Sequence, residues 1–160
     1  MAIELLLKLA GVEGEAKRDG FEKQIQLESF SWGFHNPSSP TGGGAGAGKV
    51  EASDISCTKK VDKASPKLAQ GIWTGKHFPN AVLTALKAGG DKAVDYMKLE
   101  FDSLFIISLQ ESAAGGSDVP MEQISFAYGK VTMTYSEQKE DGTKGAATVS
   151  SYDFKTHKAG

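Results

Sequence analysis

From Met97 to Leu109 the chain alternates with a period of two. Leu99, Phe101, Phe105, Ile107 and Leu109 fall on one parity; Lys98, Glu100 and Asp102 fall on the other. A helix cannot present that period, so the segment is a strand with one apolar face. The pattern then departs from its own rule, because Leu104 and Ile106 place apolar side chains on the polar parity. The same ambiguity recurs. Ile3, Leu5, Leu7 and Leu9 alternate with Glu4 and Lys8, while Leu6 interrupts the polar face. Ile25 and Leu27 share one parity and Phe30, Trp32 and Phe34 the other, which calls for a bulge near Glu28–Ser29 or burial on both faces. Ile124, Phe126 and Tyr128 are followed by Val131, Met133 and Tyr135 on the opposite parity, with Gly129 at the switch, where a bulge is expected. Residues 50–61, with Ile55, Cys57 and Val61 on one face, then Ala81–Lys87 and a segment beginning at Tyr152–Phe154, complete the strand set.

One segment reads differently. Ser65–Pro66 supplies a capping hydroxyl and a first-turn proline, Leu68 and Ile72 recur four residues apart, and Gly75 ends the run. This is a short helix. Roughly eight strands with one helix, in a chain of 160 residues, give a single mainly β domain, either a barrel or two packed sheets. One interior accounts for only one apolar face per strand. Leu6, Leu104 and Ile106 are therefore expected to remain at the surface as a subunit interface, and the chain to form an oligomer.

Charge narrows the partners. The chain has 18 basic and 20 acidic residues, a net charge of −2, and Arg18 is its sole arginine. Without a basic surplus, phosphate neutralisation is weak and nucleic acid is not an expected partner. No stretch reaches the roughly 20 apolar residues of a membrane helix. The first residues have no basic flank and are interrupted by Glu4 and Lys8, so they read as a strand and not as a cleaved signal. The expectation is a protein made in the cytoplasm and left unprocessed, with the single Cys57 fitting a reducing compartment.

Gly43 to Lys49 satisfies the GxxxxGK part of a phosphate-binding loop, but Val50 stands where Ser or Thr should hold magnesium, and a strand follows where a helix should. A loose GxGxxA match over Gly42–Ala47 lacks the strand–turn–helix frame. Both reduce to a low-complexity loop between Pro37 and Lys49. His35, His77 and His157 are widely separated and give no metal spacing. Cys57 shares its parity with Ile55 and reads as a small core residue. Glu51, Asp54 and Asp62 read as solvated charge, and Phe30, Trp32 and Phe34 as core aromatics. No cofactor and no catalytic group is expected.

Taken in order, Phe30-Ser31-Trp32-Gly33, the glycine tract ending Gly48-Lys49-Val50, Ile55 to Lys63, Ser65-Pro66, Gly75-Lys76-His77-Phe78-Pro79 and Lys87-Ala88-Gly89-Gly90 resemble the haemolysin-coregulated protein (Hcp) family of bacterial type VI secretion systems. The resemblance implies a compact β-barrel of two packed antiparallel sheets with one short α-helix at its side. It implies a homohexameric ring that stacks into the inner tube of a contractile injection machine, is secreted with the spike, and carries effector proteins in its channel. Itself, effector cargo, and the spike and sheath proteins are the implied partners. It implies no enzymatic activity for a chain ending at Gly160. Gly42, Gly43, Gly44, Gly46, Gly48 and Lys49 would form a ring-stacking loop. The resemblance sets Ser31 on the channel wall. Alternation agrees, since Ser31 points away from Phe30 and Trp32, but alternation alone fits an ordinary exposed serine equally well. The alternative function is a monomeric barrel that binds a small ligand in its interior.

Overall fold

A computed structural model describes residues 3–37, 50–89 and 92–160. The glycine tract from Gly42 to Lys49, and with it the expected ring-stacking loop, lies outside the described residues.

The described chain is mainly β. In order it runs β1 (Ile3–Leu9), β2 (Ile25–Leu27), β3 (Ser29–Ser31), β4 (Phe34–His35), β5 (Glu51–Ala52), β6 (Ile55–Lys60), α1 (Ser65–Thr74), β7 (His77–Gly89), β8 (Lys92–Ser112), β9 (Met121–Gln138), β10 (Lys144–Asp153) and β11 (Lys158–Ala159). A nine-stranded antiparallel sheet follows the path β11-β10-β9-β8-β7-β1-β2, and β6, paired with β3, joins the first half of β9. A two-stranded sheet, β4-β5, stands apart. The path folds over on itself as a sandwich and does not close as a barrel: β2 pairs with β1, β3 with β6, and the chain crosses between them at Glu28. That crossing is the interruption the sequence placed at Glu28–Ser29.

The long hairpin β8–β9 explains the ambiguous parities. Leu99 and Phe101 are fully buried, and so are Leu104 and, nearly, Ile106. Opposite them, Val131 on one side and Ile124 and Phe126 on the other are buried as well. Both strands therefore change the parity that faces the core at the same rung, Ser103 against Gly129. No residue is inserted there, because Asp102 pairs Lys130 and Leu104 pairs Tyr128 in one unbroken register. Instead Ser103 takes a left-handed conformation, φ 57°, and its hydroxyl is held by Lys155 Nζ at 2.9 Å and His77 Nε2 at 3.0 Å. The expected bulge at Gly129 is absent. The register shift falls instead between Ile106 and Ser108, and returns Leu109 toward the core.

This corrects the interface expectation. Leu104 and Ile106 are core residues, and Phe105 and Ile107, 45% and 46% exposed, face outward in their place. Leu6 is also buried. It packs with Ala16 and Leu86 on the second face of β1, under the 11–24 segment, while Leu5, Leu7 and Leu9 enter the main core. That segment is tied down by backbone bonds from Gly14 to Lys23 and from Ala16 to Gln24. Gly14 is glycine because a Cβ there would lie 2.4 Å from the Gln24 carbonyl oxygen.

The helix boundary also differs from expectation. Ser65 is the first helical residue, and Ala64 precedes it without a side-chain cap. Asp62 Oδ1 accepts the Ala64 N–H at 3.0 Å, and the Ser65 hydroxyl turns inward to a buried polar cluster. Gly75 closes the helix in a left-handed conformation, φ 63°, as the sequence indicates.

Candidate assembly surface

The motif around Ser31 is clamped from several sides. Phe30 and Trp32 are half-buried against the core. Trp32 Nε1 donates to the Tyr128 hydroxyl, which donates to the Ser53 carbonyl at 3.2 Å. The Ser53 hydroxyl donates to the Gly33 carbonyl at 2.8 Å and accepts the Gly33 N–H at 3.1 Å. Burial holds the Tyr128 hydroxyl above the usual phenol range, and the Trp32 hydrogen bond works in the opposite direction. Phe34, taken as a core aromatic, lies at the surface, 59% exposed. It has left the sheet of β3 for the two-stranded β4-β5 ladder, where Phe34 pairs with Ala52.

Ser31 itself is exposed and stands at the edge of a sheet four strands wide. Reading across β3, β6, β9 and β8, one row is Ser31, Ser56, Ser125 and Ser108, and the next is Ser29, Thr58, Gln123 and Gln110. Ser56 Oγ and Ser125 Oγ are 2.9 Å apart and hydrogen-bonded. All eight side chains are polar, short or medium in length, and uncharged. The opposite face of the same strands carries Ile55, Cys57, Ile124 and Phe126, all buried. Over these two rows the alternation holds: apolar core on one side, and hydroxyls and amides on the other. Phe105, Ile107 and His77 border this face at one corner, with the Phe105 and His77 rings 5.2 Å apart.

Sequence reasoning found one of these eight residues. The other seven come from segments up to about a hundred residues away, and only the register assembles them.

The remaining sequence candidates are dispersed. His35 pairs with Glu51 at 3.1 Å across β4-β5, both largely exposed. Among the described residues no group of three or more His, Cys, Asp or Glu could hold a metal. Cys57 is fully buried, and desolvation pushes its thiol up to about 12. The folded protein should therefore resist alkylation at pH 8, with full reaction only in denaturant. Mass spectrometry after iodoacetamide treatment checks this, and rapid native labelling would contradict it.

Apolar surface remains elsewhere. Trp73 on α1 is 80% exposed. It flanks an open groove of ≈ 760 Å³ that includes Val61, Pro66, Ile72 and Leu109. A second, almost wholly apolar groove of ≈ 270 Å³ lies among Trp32, Phe34, Met133, Tyr152 and Phe154.

Comparison with known proteins agrees with this geometry. A family model described as type VI secretion system effector, Hcp, matches residues 6–135. The protein hcp1 of Pseudomonas aeruginosa is 36% identical over 150 residues, covering 93% of each chain. Among solved structures, one described as a type six secretion system protein superposes with a TM-score of 0.92 at 34% identity, covering 99% of this chain and 100% of the other. Hcp1 from Salmonella typhimurium superposes with a TM-score of 0.83 at 29% identity, covering 99% of both. The likeness favours an assembling protein over a lone ligand-binding barrel, and the open sheet path encloses no barrel interior. The chain belongs to the Hcp family, the tube proteins of the type VI secretion system.

Proposed function

We propose that the uncharged face of β3, β6, β9 and β8 is the channel wall of this tube protein, and that effector proteins ride against it. The single observation that carries the reading is the two-row register of Ser31-Ser56-Ser125-Ser108 and Ser29-Thr58-Gln123-Gln110. Hydroxyls and amides keep a wall hydrated and offer cargo many weak, exchangeable hydrogen bonds, each near 1 kcal/mol net.

The two ends of this four-stranded wall differ, which favours a ring. One end is β3, paired among the described residues only with β6. The other is Ser108–Ser112 of β8, beyond the last rung of β7, which pairs His77 with Phe105. A closed ring needs heterologous contacts, one patch meeting a different patch on the neighbour. A hexamer with four strands per copy has a wall about 115 Å round, or about 37 Å across the backbone, at ~4.8 Å per strand. That is wide enough for a small folded domain. Secretion of the assembled tube follows from the same reading, with the spike and sheath proteins as its other partners.

Negative-stain microscopy of the purified protein should show rings with a stain-filled centre. Ser31→Gln should leave the rings unchanged and abolish co-purification of cargo, because a long side chain then projects from the edge of the wall. Featureless monomers would sink the ring. Normal cargo recovery with Ser31→Gln would remove the wall from this face.

A further inference from the structure

On the face of the same strands opposite the wall, a single rung carries three ionisable side chains, of which Glu111 is exposed. Lys59 of β6 pairs in register with Glu122 of β9, and Glu122 with Glu111 of β8. Lys59 and Glu122 are buried, at 0% and 2% exposure. Lys59 Nζ donates to Glu122 Oε1 and, at 2.9 Å, to Asp62 Oδ1. The Ser65 hydroxyl at the start of α1 also donates to Glu122 Oε1, at 2.7 Å. Glu122 Oε2 is buried, and among the described residues no N–H or O–H donor reaches it. Lys59 on β6, Asp62 before α1, Ser65 on α1, Glu111 on β8 and Glu122 on β9 are the polar groups that meet here. Their ionisable members are one ammonium and three carboxyls.

A carboxylate oxygen buried without a donor has lost its solvation with nothing in return. Two carboxylates facing across one rung repel as well. One proton removes both penalties: carried by Glu111, it is donated to Glu122 Oε2. We propose that Glu111 and Glu122 share a proton and form a pH-sensitive clasp, which fastens the loop end of the β8–β9 hairpin and the foot of α1 under the wall.

The electrostatics agree. Contact with the Glu122 carboxyl, more than burial, raises the Glu111 carboxyl above its ordinary value of 4.5, and Lys59 opposes this only weakly. For a carboxyl raised in the folded state, the stabilisation is fully present below about 4.5 and is lost as pH rises through the folded value. Asp141 and Asp153 have the opposite sign. Hydrogen bonds from Thr143 to Asp141, and from the Lys155 and Thr156 N–H groups to Asp153, hold both carboxyls low, so their contribution is lost only in stronger acid.

The test is thermal melting of the full chain from about pH 4.5 to pH 8.5, wild type against Glu111→Gln. Gln cannot ionise, yet it keeps a donor for Glu122 Oε2. The wild type should lose Tm as pH rises, and Glu111→Gln should lose less and melt higher at pH 8.5. An unchanged slope in Glu111→Gln overturns the clasp. Infrared difference spectroscopy of the wild type is a second, independent reading. In the wild type a protonated carboxyl band should persist to higher pH than in Glu122→Gln; a band lost at the same pH in both also overturns it. Neither reading depends on whether the chain forms rings.

Discussion

Lys59→Met should lower folding stability by about 3–5 kcal/mol, because it leaves Glu122 buried without its cation. The side chain of Lys59 is fully buried, and its ammonium is met by Glu122, Asp62 and Ser65. Methionine fills nearly the same volume, so the loss reports charge and not a cavity. Urea unfolding should show a lower midpoint at an unchanged slope. The double replacement Lys59→Met with Glu122→Leu should recover much of the loss, since exchanging a buried ion pair for apolar residues is often close to neutral. A single replacement that unfolds at the wild-type midpoint would mean that water reaches this cluster and screens it.

Phe101→Ala should cost about 3–5 kcal/mol, the range for removing a buried aromatic ring. Phe101 is fully buried. Its ring centre lies 4.9 Å from Tyr128, 5.4 Å from Phe126 and 6.1 Å from Trp32. It thus supports both halves of the hairpin, on either side of the parity switch, together with the Trp32 segment that presents Ser31. A drop in Tm of about 10 °C follows for a domain of this size. Calorimetry checks it. A shift of one or two degrees would mean that Trp32 and Tyr128 collapse into the vacated space.

The strands and the helix were legible from period and turn residues, and the family from the order of its motifs. What alternation could not supply was the side on which each parity ends. Leu104 and Ile106 looked like surplus because the parity count assumed a strand that never turns over. One left-handed serine reversed it. Lys59 was invisible for a related reason: a charged residue on the core parity, between Cys57 and Val61, reads as an error in the pattern until Glu122 is found opposite, more than sixty residues along the chain. Ser65 carried a capping signature, but its hydroxyl was drawn inward by that same buried carboxylate. Ser31 was found through its motif. Its seven companions lie on four separated strands, and hydroxyl-bearing residues on an exposed face carry no period that singles them out.

The two polar rows have an electrical consequence. A surface without fixed charge gathers no layer of mobile counterions, so a body sliding along it drags no ion cloud and meets no sign preference. Acidic and basic passengers would meet the same resistance there, set by how fast water exchanges with hydroxyls and amides. Transit past these rows should then be nearly indifferent to ionic strength, and discrimination between passengers would fall to shape and to charged groups elsewhere.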